Sequence, residues 1–574
     1  MATSHPVDSI LAADIGSAWT RVVLIDRIEG HYRFVAASDV PTTGAATGAT
    51  VAAGVRLALR EIETGAGRTL LNAAGSLLAP EQPDGMGVDL FVATCSAAPP
   101  LQVFVAGLTE RASLLGGERA ASTTYSRVIG SFALGGKTAS TTREPLSALV
   151  ERLHASLPQA ILLTGGTEGG ATGPLVRVAE AVALAMAALP AERRPAVVFA
   201  GNGAAADSVR AVLAPVAGYL VGENVRPTEE REHTAGAGAV LHELYCERCL
   251  NGLPGVDVLR GWAGGPVLAS VEGLSRVARF VAARSGRRAL GVDVGATSTA
   301  LVMASDATIF HTEVRHGLGL GSGLEGVLAQ TPPADLLGWV GPGEDGSGPS
   351  ANQLADALGS YSLRPATRPQ SSAALVLLQA AARAALRLAI AEASRSWATA
   401  RIATGDRLDS PTIGSILLCG TTFREAPEPM QAVLMALDGL RPVGVSHLLR
   451  DRLGLVPAIG ALAEVAPDVA VALLNEAMLE SLGTTVVPAG SARTGERALT
   501  LTLAVPDEST RELSVEYGQL RQEPLPPGVT ARATVRPSRR FDVGFGPGRA
   551  GEITIYGGSA GLVVDARGGS RGSP

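Results

Sequence analysis

The sequence predicts an α/β protein built from two similar lobes, the first interrupted by an α/β insertion, with an all-β module at the C-terminus. Three observations predict it. Residues 8–26, DSILAADIGSAWT continued by RVVLID, read as an apolar strand, a tight turn Asp14-Ile15-Gly16-Ser17 and a second apolar strand. Residues 288–303, RALGVDVGATSTALVM, repeat that pattern: Asp14 matches Asp293, Gly16 matches Gly295, Ser17 matches Ala296 and Thr20 matches Thr299. From about residue 484, TLTLAVPDESTRELSVEYGQL alternates apolar and polar residues between turn signals, as half-buried strands do. The corresponding boundaries are 1–285 for the first lobe, with the insertion at about 123–230, then 286–483 for the second lobe and 484–574 for the β module.

An Asp at a strand end, followed by Gly and a hydroxyl residue in the turn, suits a phosphate clasp. Glycine lets the backbone approach an anion closely. Turn amides and a neighbouring hydroxyl donate to phosphate oxygens. The carboxylate can hold a magnesium ion directly or through water. One such hairpin is a common turn, and the competing reading is two ordinary hairpins in unrelated sheets. The matched pair resembles the first and second phosphate loops of the superfamily of actin, heat-shock ATPases and sugar kinases. That resemblance implies two ribonuclease H-like lobes gripping a nucleotide from either side.

Along the chain, HYRFVAASDVPTT is expected as a further strand, 51–63 as an amphipathic helix, 91–108 as two strands about a small-residue turn, and 109–122 as a helix. LGGKT holds the one lysine, Lys137, but Ser131 stands where a Walker A loop needs its first glycine. That spacing sets the loop's geometry, so a surface loop is the better reading. Residues 158–214 read as an α/β unit whose turn, Gly165 to Gly170, is either a ligand loop or a structural crossover. His242, Cys246 and Cys249 share one helical face, a pattern compatible with metal ligation and equally with buried small cysteines. The glycines of 316–328 predict a flexible loop or a helix entry. Residues 371–401 predict a long helix, buried rather than membrane-spanning because Arg383 and Arg387 interrupt it. A strand at 413–418 ends in Cys419-Gly420-Thr421-Thr422, followed by a helix at 428–438. The tail RGGSRGSP is expected to be disordered.

Composition narrows the function. Of 574 residues, 46% are hydrophobic and 18% charged, which permits a large core. A net charge of −6 provides no electrostatic footprint for nucleic acid. Four cysteines make no disulfide framework in a chain this long, and a cytoplasmic setting is the expectation. The N-terminus lacks the basic-then-apolar pattern of a signal peptide, and no membrane partner is expected.

Six segments in order, ADIGSAWTRVVLID, CSAAPPLQVFVAGL, LLTGGTEGGATG, VVFAGNG, VDVGATSTA and DRLGLVPAIGALAE, resemble the glutamate mutase L family, which is unrelated to the similarly named mismatch-repair protein. The C-terminal LPPG and VVDARG extend the resemblance over nearly the whole chain. It implies an actin-like ATPase accompanying the subunits of an adenosylcobalamin-dependent glutamate (methylaspartate) mutase, with a chaperone-like reactivating role. It further implies that ATP and Mg2+ bind between the lobes. Gly16, Ser17 and Thr20 would face the phosphates from one side and Gly295 and Thr297 from the other. Asp14 and Asp293 would organise the metal and the attacking water. Gly420 and Thr421 would lie against the adenosine, where the family carries a glycine pair. The chain departs from the family's second loop at Ala296, in place of glycine, and at Ala300, in place of a carboxylate. These departures favour a second reading, a non-hydrolysing scaffold with a decayed nucleotide site. A third, a small-molecule kinase, needs a catalytic carboxylate that the sequence does not single out. The absence of an Asp-x-His-x-x-Gly signature argues against a cobalamin-carrying subunit.

Overall fold

The computed structural model describes residues 7–44, 48–135, 145–341, 348–404, 413–475, 478–506 and 509–568. Gly136, Lys137 and Thr138 of the rejected Walker A loop lie outside them, as do residues 569–574 of the tail.

The two lobes repeat one topology. In the first, Ser9–Ile15 pairs antiparallel with Trp19–Ile28, which pairs antiparallel with His31–Pro41. On its other edge Ser9–Ile15 runs parallel to Leu90–Cys95, and that strand runs parallel to Leu268–Ala269. In the second lobe Arg288–Val294, Ser298–Ala304 and Phe310–His316 form the same antiparallel meander. Ile413–Cys419 and Gly444–Arg450 add the same two parallel strands. Both sheets therefore read third, second, first, fourth, fifth, the arrangement of an actin-like pair of lobes. The apolar runs that predicted these strands are buried on both faces, as central strands under helices require.

The two strands read within 91–108 belong to different sheets. Leu90–Cys95 stays in the first lobe, whereas Leu101–Gly107 is the second strand of a five-stranded parallel sheet. Its order is Ser126–Ala133, Leu101–Gly107, Ala160–Gly165, Ala196–Gly201, Tyr219–Val221. Phe104, Ile161 and Phe199 face the helices Leu146–Ser156, Gly173–Ala187 and Ala206–Leu213, while Val103, Leu162 and Val198 join the core of the first lobe.

The predicted long helix spans Ser372–Thr404. Its stretch Ser372–Trp397 is long and apolar enough to cross a membrane, yet 56% of the apolar window is buried inside the protein. The two arginines that interrupt it are held by the fold. Buried Arg383 bonds Asp438 at 3.0 Å, and Arg387 lies 4.5 Å over the Trp339 ring. Asp438 also accepts from Arg567 at 2.9 Å, which ties the helix to the end of the chain.

The C-terminal residues divide between two sheets. Arg511–Glu516, Arg497–Ala504, Thr530–Pro537 and Gly551–Tyr556 form an antiparallel sheet with Leu499, Leu501 and Leu503 turned inward. Leu520–Glu523 and Gly561–Asp565 instead extend the second lobe's sheet beyond Glu480–Val487, making it eight-stranded.

Two helices join the lobes. Ser270–Ser285 packs beneath Arg288–Val294 of the second lobe, and Val456–Val465 packs against Ser9–Ile15 and Leu90–Cys95 of the first. They cross at Gly273 and Gly460, where the backbones touch. A Cβ at Gly273 would run into the Pro457 carbonyl, and one at Gly460 into the Gly273 carbonyl. Helix backbones approach this closely only where neither residue has a side chain. Gly460→Ala is expected to destabilise by about 1–3 kcal/mol through overpacking. Gly338→Ala meets open space within helix Pro333–Val340 and should stabilise by about 0.5–1 kcal/mol. Thermal unfolding of the two variants reads this as melting temperatures moving in opposite directions.

Candidate functional site

The two matched turns close in the same way. The Gly16 amide donates to the Trp19 carbonyl and the Gly295 amide to the Ser298 carbonyl, each at 2.9 Å. Both turns open into one cleft between the lobes, lined among others by Asp14, Gly16, Ser17, Asp293, Gly295, Thr297, Gly420 and Thr421. The turns face each other directly: the Thr297 hydroxyl donates to Ser17 Oγ across the cleft at 2.8 Å. Thr20 stands apart from this wall. It is fully buried, and its hydroxyl lies 2.9 Å from that of Thr42, which donates to the Gly16 carbonyl. Thr20 supports the first turn from beneath.

The second turn rests on the glycine-rich segment that follows it. Amides of Leu320, Gly321 and Gly323 donate to the carbonyls of Gly295 and Ala296 at 2.8–3.0 Å. The segment enters helix Leu324–Gln330 immediately afterwards, so the helix-entry reading holds. Ala300 sits opposite Asp293 in the strand pair and is buried. At Gly420 the backbone takes φ +98°, and a Cβ there would strike the Val294 carbonyl. Glycine is required at that position, whereas Thr421 simply opens the short helix Thr421–Arg424.

Three carboxylates converge at the floor of the cleft. Asp14 Oδ1 accepts from the hydroxyls of Thr94 at 2.7 Å and Ser270 at 2.9 Å. Burial still raises the Asp14 carboxyl above its ordinary range, and Asp451 adds to this. Burial, reinforced by Asp14 and Asp451, pushes Asp293 up to about 7. Asp451 accepts from the amides of Leu455 and Val456, both at 2.8 Å, and so caps helix Val456–Val465. Neighbouring acids that raise one another's pKa fit a cation bound among them. Among the described residues no three His, Cys, Asp or Glu side chains are grouped to hold a metal. One or two of these carboxylates with a shell of water match the coordination magnesium prefers.

At the mouth, Asp39 of the first lobe collects guanidinium groups from both sides. Arg21 lies at 2.7 Å, Arg424 at 2.9 Å and Arg368 at 3.2 Å. Burial works against the Asp39 charge, but Arg424 and Arg21 outweigh it and hold its carboxyl below the usual range. Arg368 also lies 4.3 Å over the Trp19 ring. Sequence reasoning passed over Trp19, Arg21, Asp39, Arg368, Arg424 and Asp451. For Asp451 a signal existed: an Asp shortly before Pro457, a proline at the helix start, is an N-terminal capping pattern.

The 165–170 turn is self-contained. Glu168 accepts from the Gly203 amide at 3.1 Å, while Asn224 and Asn202 donate to the Gly166 and Gly170 carbonyls at 3.0 and 2.9 Å. Its polar groups are engaged with Asn202, Gly203 and Asn224, the bonding expected of a structural crossover.

Asp293 has a stability consequence. Its folded value, about 7, lies above the ordinary aspartate value of about 3.9. The folded state therefore holds the proton more tightly, and stability falls as pH rises from about 4 through about 7. Asp293→Asn removes that dependence. At about pH 8 the variant should melt on the order of a few degrees above the parent, with the gap closing toward about pH 4. A gap that did not change with pH would contradict the burial assigned to this carboxyl.

A family model described as MutL protein matches residues 10–478. No curated protein matches the sequence. Among solved structures, nucleotide-free acetone carboxylase is 11% identical with a TM-score of 0.32, covering 89% of this chain and 81% of that one. Nucleotide-free diol dehydratase-reactivating factor is 10% identical with a TM-score of 0.29, covering 80% of this chain and 99% of that one. Glycerol dehydratase reactivase is 13% identical with a TM-score of 0.29, covering 79% and 99%. With its motif series and the family model agreeing over 10–478, the chain belongs to the MutL protein family, that of glutamate mutase L.

Proposed function

We propose that the protein is an ATP-binding accessory factor of an adenosylcobalamin-dependent glutamate (methylaspartate) mutase, acting as a chaperone-like reactivating ATPase. The observation that carries this reading is the pairing of the two turns. Equivalent glycine turns from two equivalent lobes meet at Ser17 and Thr297, 2.8 Å apart, above converging carboxylates.

Backbone amides of the two turns, with the Ser17 and Thr297 hydroxyls, would hold the phosphates. Asp14 and Asp293 would hold magnesium. Bound Mg–ATP supplies a phosphoanhydride whose cleavage depends chiefly on positioning and charge stabilisation. Thr94 and Ser270 hold Asp14 in place through Oδ1. Asp293, poised near neutrality, gives up its proton when a cation arrives. The hydroxyl contact between Ser17 and Thr297 must open to admit a phosphate, which couples occupancy to the separation of the lobes. A radical enzyme trapped with damaged cofactor would be served by a partner that opens its complex through such a hinge.

A second reading, a scaffold that binds nucleotide without hydrolysis, is favoured by Ala300. The position opposite Asp293 carries a buried methyl group in place of the family's carboxylate.

Phosphate release from Mg–ATP, measured with and without mutase subunits, separates the two. The reactivating ATPase predicts release stimulated by the partner and lost in the double variant Asp14→Ala, Asp293→Ala. Partner binding that is tight, indifferent to nucleotide and without release would establish the scaffold. Turnover unchanged in the double variant would overturn the site.

A further inference from the structure

Beside the inter-lobe helices a second group of reactive side chains converges, none of which lines the cleft. His242 lies in the last turn of helix Ala235–Tyr245, and Cys246 begins the π-helical turn Cys246–Leu250 that continues it. Cys246 Sγ is 3.6 Å from His242 Nε2, and Glu272 Oε2 is 3.4 Å from the same nitrogen. Thr124 Oγ1 lies 2.9 Å from Nδ1. Both ring nitrogens are engaged, so the imidazole is fixed against the sulfur. Glu272 is itself anchored by Arg276 at 2.7 Å, and Arg276 reaches Glu464 of the crossing helix at 2.8 Å. Burial disfavours a charged ring, but Cys246 and Glu272 outweigh it and push His242 up to about 10. Both neighbours favour the protonated ring.

The four cysteines are not equivalent. Cys95, Cys249 and Cys419 are buried, while Cys246 is partly exposed. Burial pushes Cys95 up to about 12 and Cys249 up to about 11, and holds Cys419 well above the ordinary thiol range. Burial thereby shields these three thiols from reagents in solution. The fourth is reachable from solvent and has the His242 ring against its sulfur. Cys249 follows it three residues on, within the same turn. Among the described residues no group of three or more His, Cys, Asp or Glu could hold a metal. A partly exposed thiol beside the His242 ring, with a buried thiol in the same turn, has the asymmetry of an attacking and a resolving cysteine.

We propose that Cys246 is a reactive thiol that takes low-molecular-weight disulfides, and that Cys249 resolves the adduct. The Cys246 sulfur attacks one sulfur of a disulfide RSSR. A Cys246–SR bond forms, the original S–S bond breaks, and the first thiolate leaves, taking up the proton that Cys246 gave up. Cys249 then attacks the Cys246 sulfur and expels the second thiolate, which takes the Cys249 proton. Two protein thiols become one disulfide, and RSSR becomes two RSH. His242 stabilises the sulfur anion, and Thr124 and Glu272 position the ring.

The test is exposure of the full chain to oxidised glutathione, followed by intact-mass measurement and peptide mapping. The parent protein should lose two hydrogens and retain no glutathione. Cys249→Ser should retain one glutathione, mapped to Cys246. Cys246→Ser should stay unmodified over the same interval. His242→Gln should slow the reaction by at least about tenfold, with circular dichroism confirming that the variant is folded. A Cys246 that reacts no faster than free glutathione thiol, or an adduct that maps to another cysteine, would overturn the reactive site. A parent protein that keeps its glutathione adduct would overturn the resolving role of Cys249.

Discussion

The contact on which the rest of the structure depends is the crossing of two helices at Gly273 and Gly460. Each helix is rooted in one lobe and packs against the other, so the crossing fixes how the lobes sit. It also fixes the floor of the cleft. Ser270, at the start of one helix, donates to Asp14. Asp451 caps the start of the other. Gly291, in strand Arg288–Val294, lies against the first helix, where a Cβ would crowd Leu274. That contact seats Arg288–Val294 and brings Asp293 to the same place. A side chain at either crossing glycine would spread the helices and move carboxylates from three separate segments together.

The charge distribution follows from that geometry. Deep in the cleft the acids face one another, and burial with mutual repulsion leaves Asp293 near neutrality. At the mouth Asp39 is surrounded by guanidinium groups from both lobes. The floor favours a cation and the rim favours an anion, which is the polarity a metal-bound polyphosphate presents. Perturbed carboxyls within a cleft mark functional sites more often than structural ion pairs do, because a fold with no use for them would be more stable without them.

Much of this was legible in the sequence, because local constraints wrote it there. Glycine at 16 and 295 relieves the turn, where a Cβ would sit 3.0 and 3.2 Å from the Trp19 and Ser298 carbonyls, and the apolar runs beside it follow from double burial. The same residues therefore reveal both the hairpins and their repetition. Thr20 shows where matching by position reaches its end. It lies across from Ile15 in the hairpin, and the strand's alternation turns its side chain into the core rather than toward the cleft. Asp39, Arg368, Arg424 and Asp451 were not legible as a group. They come from four distant segments and are residue types common on any surface, so only the tertiary fold brings them together. The C-terminus divides in the same way. Leu499, Leu501 and Leu503 alternate and announce a one-sided sheet, but the short apolar run in Gly561–Asp565 carries no mark of the lobe it joins.

The central claim is that one nucleotide is held at once by the turns at 14–20 and 293–299. Amide hydrogen exchange with and without Mg–ATP tests it most directly. Slowed exchange in both turns together, with the Gly420 segment following, is the predicted result. Protection confined to one turn, or appearing only at the 165–170 crossover, would contradict it.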